Sequence, residues 1–240
     1  YPLRRQRQMC IRDRLKSDGS IVAWGDIYSG GASPSGLTGV TQIYSGNGAF
    51  AALKSDGTVV AWGDSSYGGI APEGLRDVTQ IFSNANAFAA LKSDGHIVAW
   101  GKSDSGGTAP SELSDVEQVF CSAAAFTALK SDGSVVSWGN SGTGGSAPSG
   151  LSGVNNIYSN VFSFAALRTD GSVVAWGDWR FGGMVPPGGL SGVTEISSTI
   201  AAFAALKSDG TVVAWGDGEH GGTTPSWLTC LLYTSPSPRD

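Results

Sequence analysis

A motif of eleven residues recurs at an almost constant interval, and it constrains the fold more than any other feature. The motif reads LKSDGxxVAWG with few changes and occurs six times, and a Gly-Gly pair, a Pro and a Leu follow each copy. Its Trp residues are spaced by 38, 38, 38, 38 and 39 positions: Trp24, Trp62, Trp100, Trp138, Trp176 and Trp215. A fixed period of this kind is typical of proteins that stack one structural unit many times.

Each period carries the pattern of three short β-strands. In one copy the predicted strands are Val78–Phe82, Ala87–Leu91 and Ile97–Trp100, which are rich in β-branched and aromatic residues. The last two are joined by Lys92-Ser93-Asp94-Gly95, a sequence typical of a tight turn, because Gly accepts a positive φ without a steric penalty. The second and third strands are therefore predicted to form an antiparallel hairpin. They are apolar on both faces, so the sheet requires cover on both sides.

One such unit is too small to bury two apolar faces, so neighbouring copies must cover each other. A parallel β-helix would show shorter coils without tight hairpins, whereas antiparallel sheets arranged around an axis fit the pattern. We therefore predict an all-β fold, a β-propeller of three-stranded or four-stranded antiparallel blades. The repeated Trp is expected to act as a wedge between blades. The chain has no apolar run of about 18 residues, so no membrane-spanning helix is predicted.

The two ends differ from the repeats. Residues 1–14 contain five Arg and no Gly, whereas Gly accounts for 36 residues of the chain. Arg4–Asp13 and Cys230–Asp240 back-translate to inverted copies of one short DNA that resembles a transposase-type sequencing adapter. We predict that residues 1–14 and 230–240 are non-native flanks of a metagenomic fragment. The repeats then fill residues 15–229, as a partial copy at 15–39 and blades at about 40–77, 78–115, 116–153, 154–192 and 193–229.

Charge depends on how these ends are interpreted. The whole chain has a net charge of -5, and residues 15–229 alone hold 9 basic and 18 acidic residues. This balance disfavours nucleic-acid partners, because DNA binding rests on Lys and Arg neutralising phosphates. A native basic arm at the N-terminus would bring nucleic-acid or membrane partners back. Only Cys121 remains between the flanks, which excludes a disulfide or a cysteine metal site there. We interpret Cys121 as a packed replacement for the Tyr or Phe of sister copies.

The repeat resembles a known family. The segment Trp62–Gly95, WGDSSYGGIAPEGLRDVTQIFSNANAFAALKSDG, is similar to a repeat of the regulator of chromosome condensation family in its short form. That form is also found in the propeller-type β-lactamase inhibitor protein, and the resemblance implies seven blades of three strands. Many members carry a Gly-x-x-His ahead of the second strand, where four copies here have Ala-Phe: Ala49-Phe50, Ala87-Phe88, Ala125-Phe126 and Ala202-Phe203. This departure concerns the subfamily and leaves the fold unaffected.

Seven copies need more residues than this chain holds. We therefore expect an incomplete arc of a seven-bladed propeller. Its unpaired edge strands favour self-association.

Two loops of each copy vary while the framework stays constant. The first is the triplet after Trp-Gly-Asp/Lys/Asn, and the second precedes the second strand. Strand direction places both loops at one end of the blades, here called the top, and the Lys-Ser-Asp-Gly turns at the other end, the bottom. Constant scaffolds with variable loops are typical of recognition surfaces. Neutral drift in exposed loops explains the same variation and stays an open alternative.

The candidate binding residues come from the first loop. Trp179, Arg180 and Phe181 are the strongest, because Trp, Tyr and Arg dominate binding hot spots. Tyr28 and Tyr67 come next, and the corresponding triplets of other copies add Asp104 and His220.

Other polar residues suggest weaker sites. The acidic residues after Trp-Gly are either calcium ligands or stabilisers of a turn, and we favour the turn: Asp26, Asp64, Asp178 and Asp217. The Lys-Ser-Asp-Gly turns are charge-balanced and are interpreted as a solvated face. His96 and His220 are too isolated in sequence to predict a metal site or an acid–base pair. We predict no metal and no cofactor.

Three functions remain open. The first, which we favour, is a non-catalytic scaffold that binds a protein or peptide. The second is a guanine-nucleotide exchange or chromatin-associated factor, which the resemblance implies. The third is a propeller enzyme such as a lyase, which needs converging His, Arg or carboxylate groups that the sequence does not assemble. The cellular compartment and the partner's identity are not predicted.

Overall fold

The chain folds as a series of small antiparallel sheets. The computed structural model describes residues 12–15, 19, 21–24, 26, 28 and 30–224. A hairpin of β1 (Arg12–Leu15) and β2 (Ile21–Trp24) precedes five three-stranded sheets. Within the described residues, no helix is long and apolar enough to cross a membrane. The all-β prediction is therefore confirmed.

The five sheets are the blades, and each has its strands in sequence order. Their bounds are, for blade 1, β3 (Val40–Ser45), β4 (Ala49–Lys54) and β5 (Val59–Gly63); for blade 2, β6 (Val78–Ser83), β7 (Ala87–Lys92) and β8 (Ile97–Gly101); for blade 3, β9 (Val116–Cys121), β10 (Ala125–Lys130) and β11 (Val135–Gly139); for blade 4, β12 (Val154–Ser159), β13 (Ser163–Arg168) and β14 (Val173–Gly177); for blade 5, β15 (Val193–Ser198), β16 (Ala202–Lys207) and β17 (Val212–Gly216). The three strands predicted for the copy at 78–115 are thus present, each one residue longer at its C-terminal end.

The predicted flanks lie almost entirely outside the described residues, which include neither residues 1–11 nor 225–240. The exception is β1, in which Arg12, Asp13 and Arg14 pair with β2. Three residues of the segment predicted to be non-native thus form β1 together with Leu15, and this strand pairs with β2 in the first hairpin.

Each blade has three strands, and a connector lies where a fourth could be. The backbone N–H of Ile97 in β8 donates to the carbonyl of Leu113 in the following connector, at 3.3 Å. Val135 and Val173 donate in the same way to Leu151 and Leu190. A single hydrogen bond makes no ladder, so the connector anchors its Leu in the core without becoming a strand.

The core lies between blades. In blades 1 to 4 the second strand is buried along almost its whole length, and in blade 5 along half of it, which explains why these strands consist mainly of Ala, Phe and Leu. In blade 4, Phe164 is fully buried and stacks on Trp176, with ring centroids 5.6 Å apart. The indole Nε1 of Trp176 donates to the carbonyl of Gly144 in the connector from blade 3, at 3.0 Å. This contact joins the two blades, as expected of a wedge.

The same arrangement occurs at five blade boundaries, and it explains the Gly-Gly pair. The Trp indoles donate to the preceding connectors at 3.0–3.1 Å, in the pairs Trp62–Gly30, Trp100–Gly68, Trp138–Gly106, Trp176–Gly144 and Trp215–Gly182. Gly144 has a φ of +98°, and a Cβ there would lie 2.4 Å from Cδ2 of Phe164. Only Gly fits such a position.

The bottoms of the blades are also joined by backbone hydrogen bonds. The first residue of each first strand donates to the Gly of the preceding hairpin turn, as Val78 does to Gly57 at 3.0 Å and Val154 does to Gly133 at 3.0 Å. One residue further on, the first strand bulges. In blades 1, 2 and 5 the bulged residue is a Thr whose hydroxyl donates to a Leu carbonyl of the second strand: Thr41, Thr79 and Thr194.

Candidate functional site

Each variable triplet after the third strand forms a 3-10 turn: Ser65–Tyr67, Ser103–Ser105, Ser141–Thr143, Trp179–Phe181 and Gly218–His220. An extended residue precedes each turn and a Gly in the left-handed region ends it. The Asp64 carboxylate accepts a hydrogen bond from the Ser66 N–H at 2.8 Å. Asp26, Asp178 and Asp217 accept equivalent bonds from Tyr28, Arg180 and Glu219. These carboxylates therefore stabilise the turns, which is the interpretation that we favoured over calcium ligation.

The two variable loops meet at the top of each blade. In blade 4, Asn160 Nδ2 donates to the carbonyl of Phe181 at 2.7 Å. Asn84, Ser122 and Thr199 make the same side-chain contact with the carbonyls of Ser105, Thr143 and His220, at 2.7–2.8 Å. The sequence-based prediction that both loops lie at one end of the blades is therefore confirmed.

The last residue of the loop between the first and second strands faces the third residue of the 3-10 turn of the same blade, and the two residues pack against each other. In blade 1, Tyr67 lies over Gly48, where a Cβ would be 3.2 Å from the tyrosine ring. In blade 2, Asn86 Nδ2 donates to Ser105 Oγ at 3.3 Å. In blade 4, Phe162 stacks on Phe181 with centroids 4.3 Å apart. The third turn position is thus packed against its own blade.

The middle residues of the loops between the first and second strands link successive blades across the top. Their backbone N–H groups donate to the carbonyl of the next loop, in the series Asn47 to Ala85, Ala85 to Ala123, Ala123 to Val161 and Val161 to Ile200, at 2.7–3.3 Å. These hydrogen bonds fix the spacing of the loops. The top therefore presents variable side chains on a joined backbone.

The structure separates the predicted binding residues into two groups. Trp179 and Tyr28 are 70% and 79% exposed, and Arg180 and Asp104 are also exposed. Phe181 and Tyr67 are half-buried against their own blades, as the packing above requires. His220 is exposed, and its Nδ1 lies 2.6 Å from Asp217 Oδ2. The seven residues belong to turns of different blades, and only Trp179, Arg180 and Phe181 share one turn.

Arg180 is held in place by Asp178, which also balances its charge. Its Nε and Nη2 lie 3.0 and 2.6 Å from the two oxygens of Asp178, and its guanidinium lies 5.3 Å from the Phe181 ring centre. The hydrogen bonds from Arg180 hold the pKa of Asp178 below its ordinary value and raise the pKa of Arg180. The side chain therefore presents a flat, charge-balanced surface beside Trp179.

An apolar strip crosses the top of blades 4 and 5. Its members are Phe181 and its stacking partner Phe162, the adjacent Val161, Ile200 across the Val161–Ile200 backbone hydrogen bond, and Trp179 of the turn that holds Phe181. Ile200 is 58% exposed. The sequence identified the loops that hold Phe162, Val161 and Ile200 as variable but singled out none of these residues. A signal for these three residues was present in the sequence, because they are large and apolar, whereas the equivalent loops of other copies hold Gly, Asn and Ala.

The bottom turns of blades 1, 2 and 5 each hold a solvated ion pair between Lys and Asp. Lys92 Nζ lies 3.0 Å from the Asp94 carboxylate, which also accepts from the His96 N–H, and these hydrogen bonds lower the pKa of the Asp94 carboxyl to about 2. Hydrogen bonds from Thr58 are the main cause of the same pKa, about 2, at Asp56. Both carboxylates are exposed, in agreement with the solvated face predicted from the sequence.

Cys121 does not occupy the position inferred from the sequence. It pairs with Phe126 in the register in which Ser45 pairs with Phe50, so it replaces a Ser, and Phe120 is the aromatic residue of this copy. The first-strand ends contact one another between blades, as in the 3.1 Å hydrogen bond from Ser83 Oγ to the Ser45 carbonyl. Burial raises the pKa of the Cys121 thiol to about 11.

Comparisons with known proteins identify the repeat and the fold. A family model described as regulator of chromosome condensation (RCC1) repeat matches residues 40–68, which confirms the resemblance inferred from the sequence for that segment. No similar sequence was found among the curated proteins.

Two solved structures illustrate the similarity. The ectodomain of the Physcomitrella patens receptor kinase CR4 is 18% identical, with a TM-score of 0.56, and the match covers 89% of this chain and 62% of that one. Prp20p from Saccharomyces cerevisiae is 16% identical, with a TM-score of 0.51, and the match covers 87% of this chain and 70% of that one. The chain thus spans less than two thirds of the receptor ectodomain. At these identities the likeness establishes the propeller-like fold alone.

Proposed function

We propose that this chain is a non-catalytic scaffold that binds a protein or peptide through the apolar strip at the top of blades 4 and 5. The observation that carries the proposal is the exposure of Trp179, at 70%, on a turn whose backbone is held by hydrogen bonds from Arg180 N–H to Asp178 and from Asn160 to the Phe181 carbonyl. Large aromatic side chains on a rigid support lose little entropy on binding and dominate the affinity of interfaces.

The strip favours a partner with an apolar or aromatic anchor. Trp179, Phe181 and Ile200 offer apolar surface, and Arg180 adds a planar group whose charge is balanced by Asp178. A partner can cover the Arg180–Asp178 pair without leaving an unpaired charge, which would be costly. The turns at the equivalent positions of blades 2 and 3, Ser103–Ser105 and Ser141–Thr143, contain no aromatic residue and offer no comparable anchor.

Similar structures and charge both support a protein partner. The partners of yeast Prp20p include proteins, because its binding to Gsp1p and histones has been characterised and a structure of Kap60 bound to it has been solved. Acidic residues exceed basic ones in this chain, 20 to 15, which disfavours a phosphate backbone as ligand.

The two His residues favour a non-catalytic role. His96 lies in a bottom turn and His220 in a top turn, and each faces the Asp of its own turn, at 3.2 and 2.6 Å. Catalytic acid–base groups must reach one substrate, and these two lie at opposite ends of the blades. Self-association through edge strands of an incomplete arc stays a prediction.

The test begins with a random peptide library displayed on phage and selected on the immobilised protein. Affinities of the enriched peptides are then measured by fluorescence anisotropy for the wild type, Trp179→Ala and the matched control Ser141→Ala, which alters the same turn position in blade 3. We expect Trp179→Ala to weaken binding roughly tenfold or more, as for a hot spot, and Ser141→Ala to leave it unchanged. Equal affinity of Trp179→Ala and the wild type would overturn the proposal.

A further inference from the structure

A cleft opens at the bottom of the molecule between blades 4 and 5, far from the strip at the top. Its volume is about 400 Å³, within the range of small-ligand sites. Its polar lining residues come from both blades: Asn155, Arg168, Thr169, Asp170, Thr194 and Ser208. Gly171 and Gly192 also line it, so backbone can approach a ligand closely there.

Arg168 departs from the repeat. The last residue of the second strand is Lys in every other blade, and each of those Lys residues forms an ion pair: Lys54 with Asp56, Lys92 with Asp94, Lys130 with Asp115 and Lys207 with Asp209, at 3.0–3.8 Å. Among the described residues, no carboxylate lies within 4 Å of the Arg168 guanidinium. Arg168 thus forms no ion pair of that length, and its charge acts at longer range on Asp170, whose lowered pKa is due mainly to hydrogen bonds from Ser172 and in smaller part to Arg168.

The guanidinium also has an unused donor. Nε of Arg168 is buried, and it is the one buried side-chain nitrogen or oxygen of the described residues without a hydrogen-bond partner. Leaving such a group unpaired is costly, so native proteins rarely do so without a water or ligand to satisfy it. The backbone around it is fixed, because Arg168 N–H donates to Ser172 and Thr169 N–H donates to Gly153, both at 2.9 Å.

Further polar groups in the cleft are unused. Asn155 occupies the bulge position where blades 1, 2 and 5 have a Thr bonded to a Leu carbonyl. Within the part of the chain that the structure describes, the side chains of Asn155, Thr169 and Ser208 make no hydrogen bond. Asp170 lines the same cleft, but its Oδ1 accepts from Ser172 N and Oγ at 2.9 and 2.6 Å.

We infer that this cleft binds the oxyanion group of a small ligand, a carboxylate or a phosphate, with the Arg168 guanidinium as its main contact. A guanidinium presents planar paired donors that match two oxygens of such a group, which the Lys of the other blades cannot do. Asn155, Thr169 and Ser208 supply additional neutral donors. Because the cleft lies at the opposite end of the blades from Trp179, this site is independent of the proposed protein-binding surface.

The test is an NMR titration of the ¹⁵N-labelled protein at constant ionic strength, with inorganic phosphate, acetate and chloride as separate probes. The signals followed are the Arg168 Nε–Hε group and the backbone amides of Thr169 and Ser208. We expect saturable shifts with at least one of phosphate and acetate and none with chloride. A response to phosphate alone identifies a phosphate site, and a response to acetate identifies a carboxylate site.

Two variants complete the test. Arg168→Lys restores the residue of the other four blades, so it is expected to fold, and it keeps the charge while removing the planar fork. We expect the apparent Kd, read from the Thr169 and Ser208 amides, to rise roughly tenfold or more. Lys92→Arg in blade 2, the matched control, should leave the titration unchanged. Equal shifts with chloride, shifts that do not saturate, or an unchanged Kd for Arg168→Lys would overturn the inference.

Discussion

The top turns of blades 3 and 4 have the same backbone conformation, but one carries small residues and the other carries large ones. Asn140 and Asp178, which precede them, have φ/ψ angles of -70/118° and -72/116°, and Gly144 and Gly182, which end them, have φ values of 98° and 94°. Between these points blade 3 carries Ser141-Gly142-Thr143 and blade 4 carries Trp179-Arg180-Phe181. The turn conformation therefore does not depend on the side chains that it displays.

The framework beneath the turns explains this independence. Gly144, at the end of the blade 3 turn, is held between the Phe164 ring and the Trp176 indole of blade 4. Gly182, at the end of the blade 4 turn, makes the equivalent contacts with Phe203 and Trp215 of blade 5. These contacts fix the C-terminal end of each turn, and the N-terminal end is fixed by backbone hydrogen bonds from Asn140 to Ala124 and from Asp178 to Phe162. The first two turn positions are then free to vary, which is what a recognition surface requires.

The largest difference in stability is expected between Ala variants of two Phe residues of the same blade. Phe164 is fully buried in the framework, whereas Phe162 is half-buried in the top stack. Phe164→Ala should lower the free energy of unfolding by about 3–5 kcal/mol, as for other buried Phe residues, and Phe162→Ala by roughly 1 kcal/mol, the order of a single aromatic pair. Urea denaturation followed by Trp fluorescence measures both, and similar losses would erase the distinction between framework and top.

The second effect tests the close approach at the Gly-Gly pair. Gly144→Ala places a Cβ 2.4 Å from Phe164, whereas Gly150→Ala meets nothing within 4 Å, although Gly150 also has a positive φ, of +71°. Gly150→Ala should cost about 1–2 kcal/mol through backbone strain alone. Gly144→Ala should cost roughly 1–3 kcal/mol more through overpacking. Thermal unfolding of the two variants isolates the contact, and equal midpoints would contradict it.

The third effect concerns the tie between the two top loops. Asn160 is buried, donates to the Phe181 carbonyl and accepts from the N–H groups of Phe162 and Ser163, at 2.7–2.8 Å. Asn160→Ala should destabilise the protein by about 1–3 kcal/mol, because these groups lose their partner.

Asn160→Ser, which copies Ser122 of blade 3, should recover part of this loss. Hydrogen exchange of the Phe162 and Ser163 amides measures the local effect. Unchanged protection in Asn160→Ala would show that the tie is dispensable.

The smallest effect is on acid stability and concerns the bottom turns. The pKa of Asp94 is lowered to about 2, so its contribution is present above about pH 4 and is lost as the pH falls toward 2. Exposed pairs are screened by salt, so the change is small. Asp94→Asn should reduce the fall in the urea midpoint between these pH values, and Glu73→Gln, an exposed control, should not. An ordinary carboxyl titration of Asp94, near about pH 4 in NMR, would contradict the prediction.

Most of the fold could be predicted from the sequence because its signals repeat. The constant spacing of Trp100 and its counterparts indicated blades, and the Lys-Ser-Asp-Gly turn indicated the hairpin. The connector was harder to predict, because Leu113 contributes one hydrogen bond and no strand pattern. Cys121 was misplaced by one position, although the period of 38 residues already aligns it with Ser83 and Ser45, and the register with Phe126 shows the same equivalence.

The candidate sites were less predictable, because they depend on contacts between distant residues. Trp179 and Arg180 stood out by residue type, whereas the stacking of Phe162 on Phe181 needs the closure of the blade. Arg168 takes the place of a Lys in the repeat, and only the folded structure shows that its Nε is buried and has no hydrogen-bond partner.

The most direct test of the account is an exchange of top turns. Trp179-Arg180-Phe181 is replaced by Ser-Gly-Thr from blade 3, together with Phe162→Ala, which copies Ala124 opposite Thr143. Thermal unfolding and the affinity of the selected peptides are then measured on one preparation. We expect a fall in stability of roughly 1 kcal/mol, the order of the lost aromatic pair, and loss of peptide binding. A protein that no longer folds, or one that binds the peptides as before, would contradict this expectation.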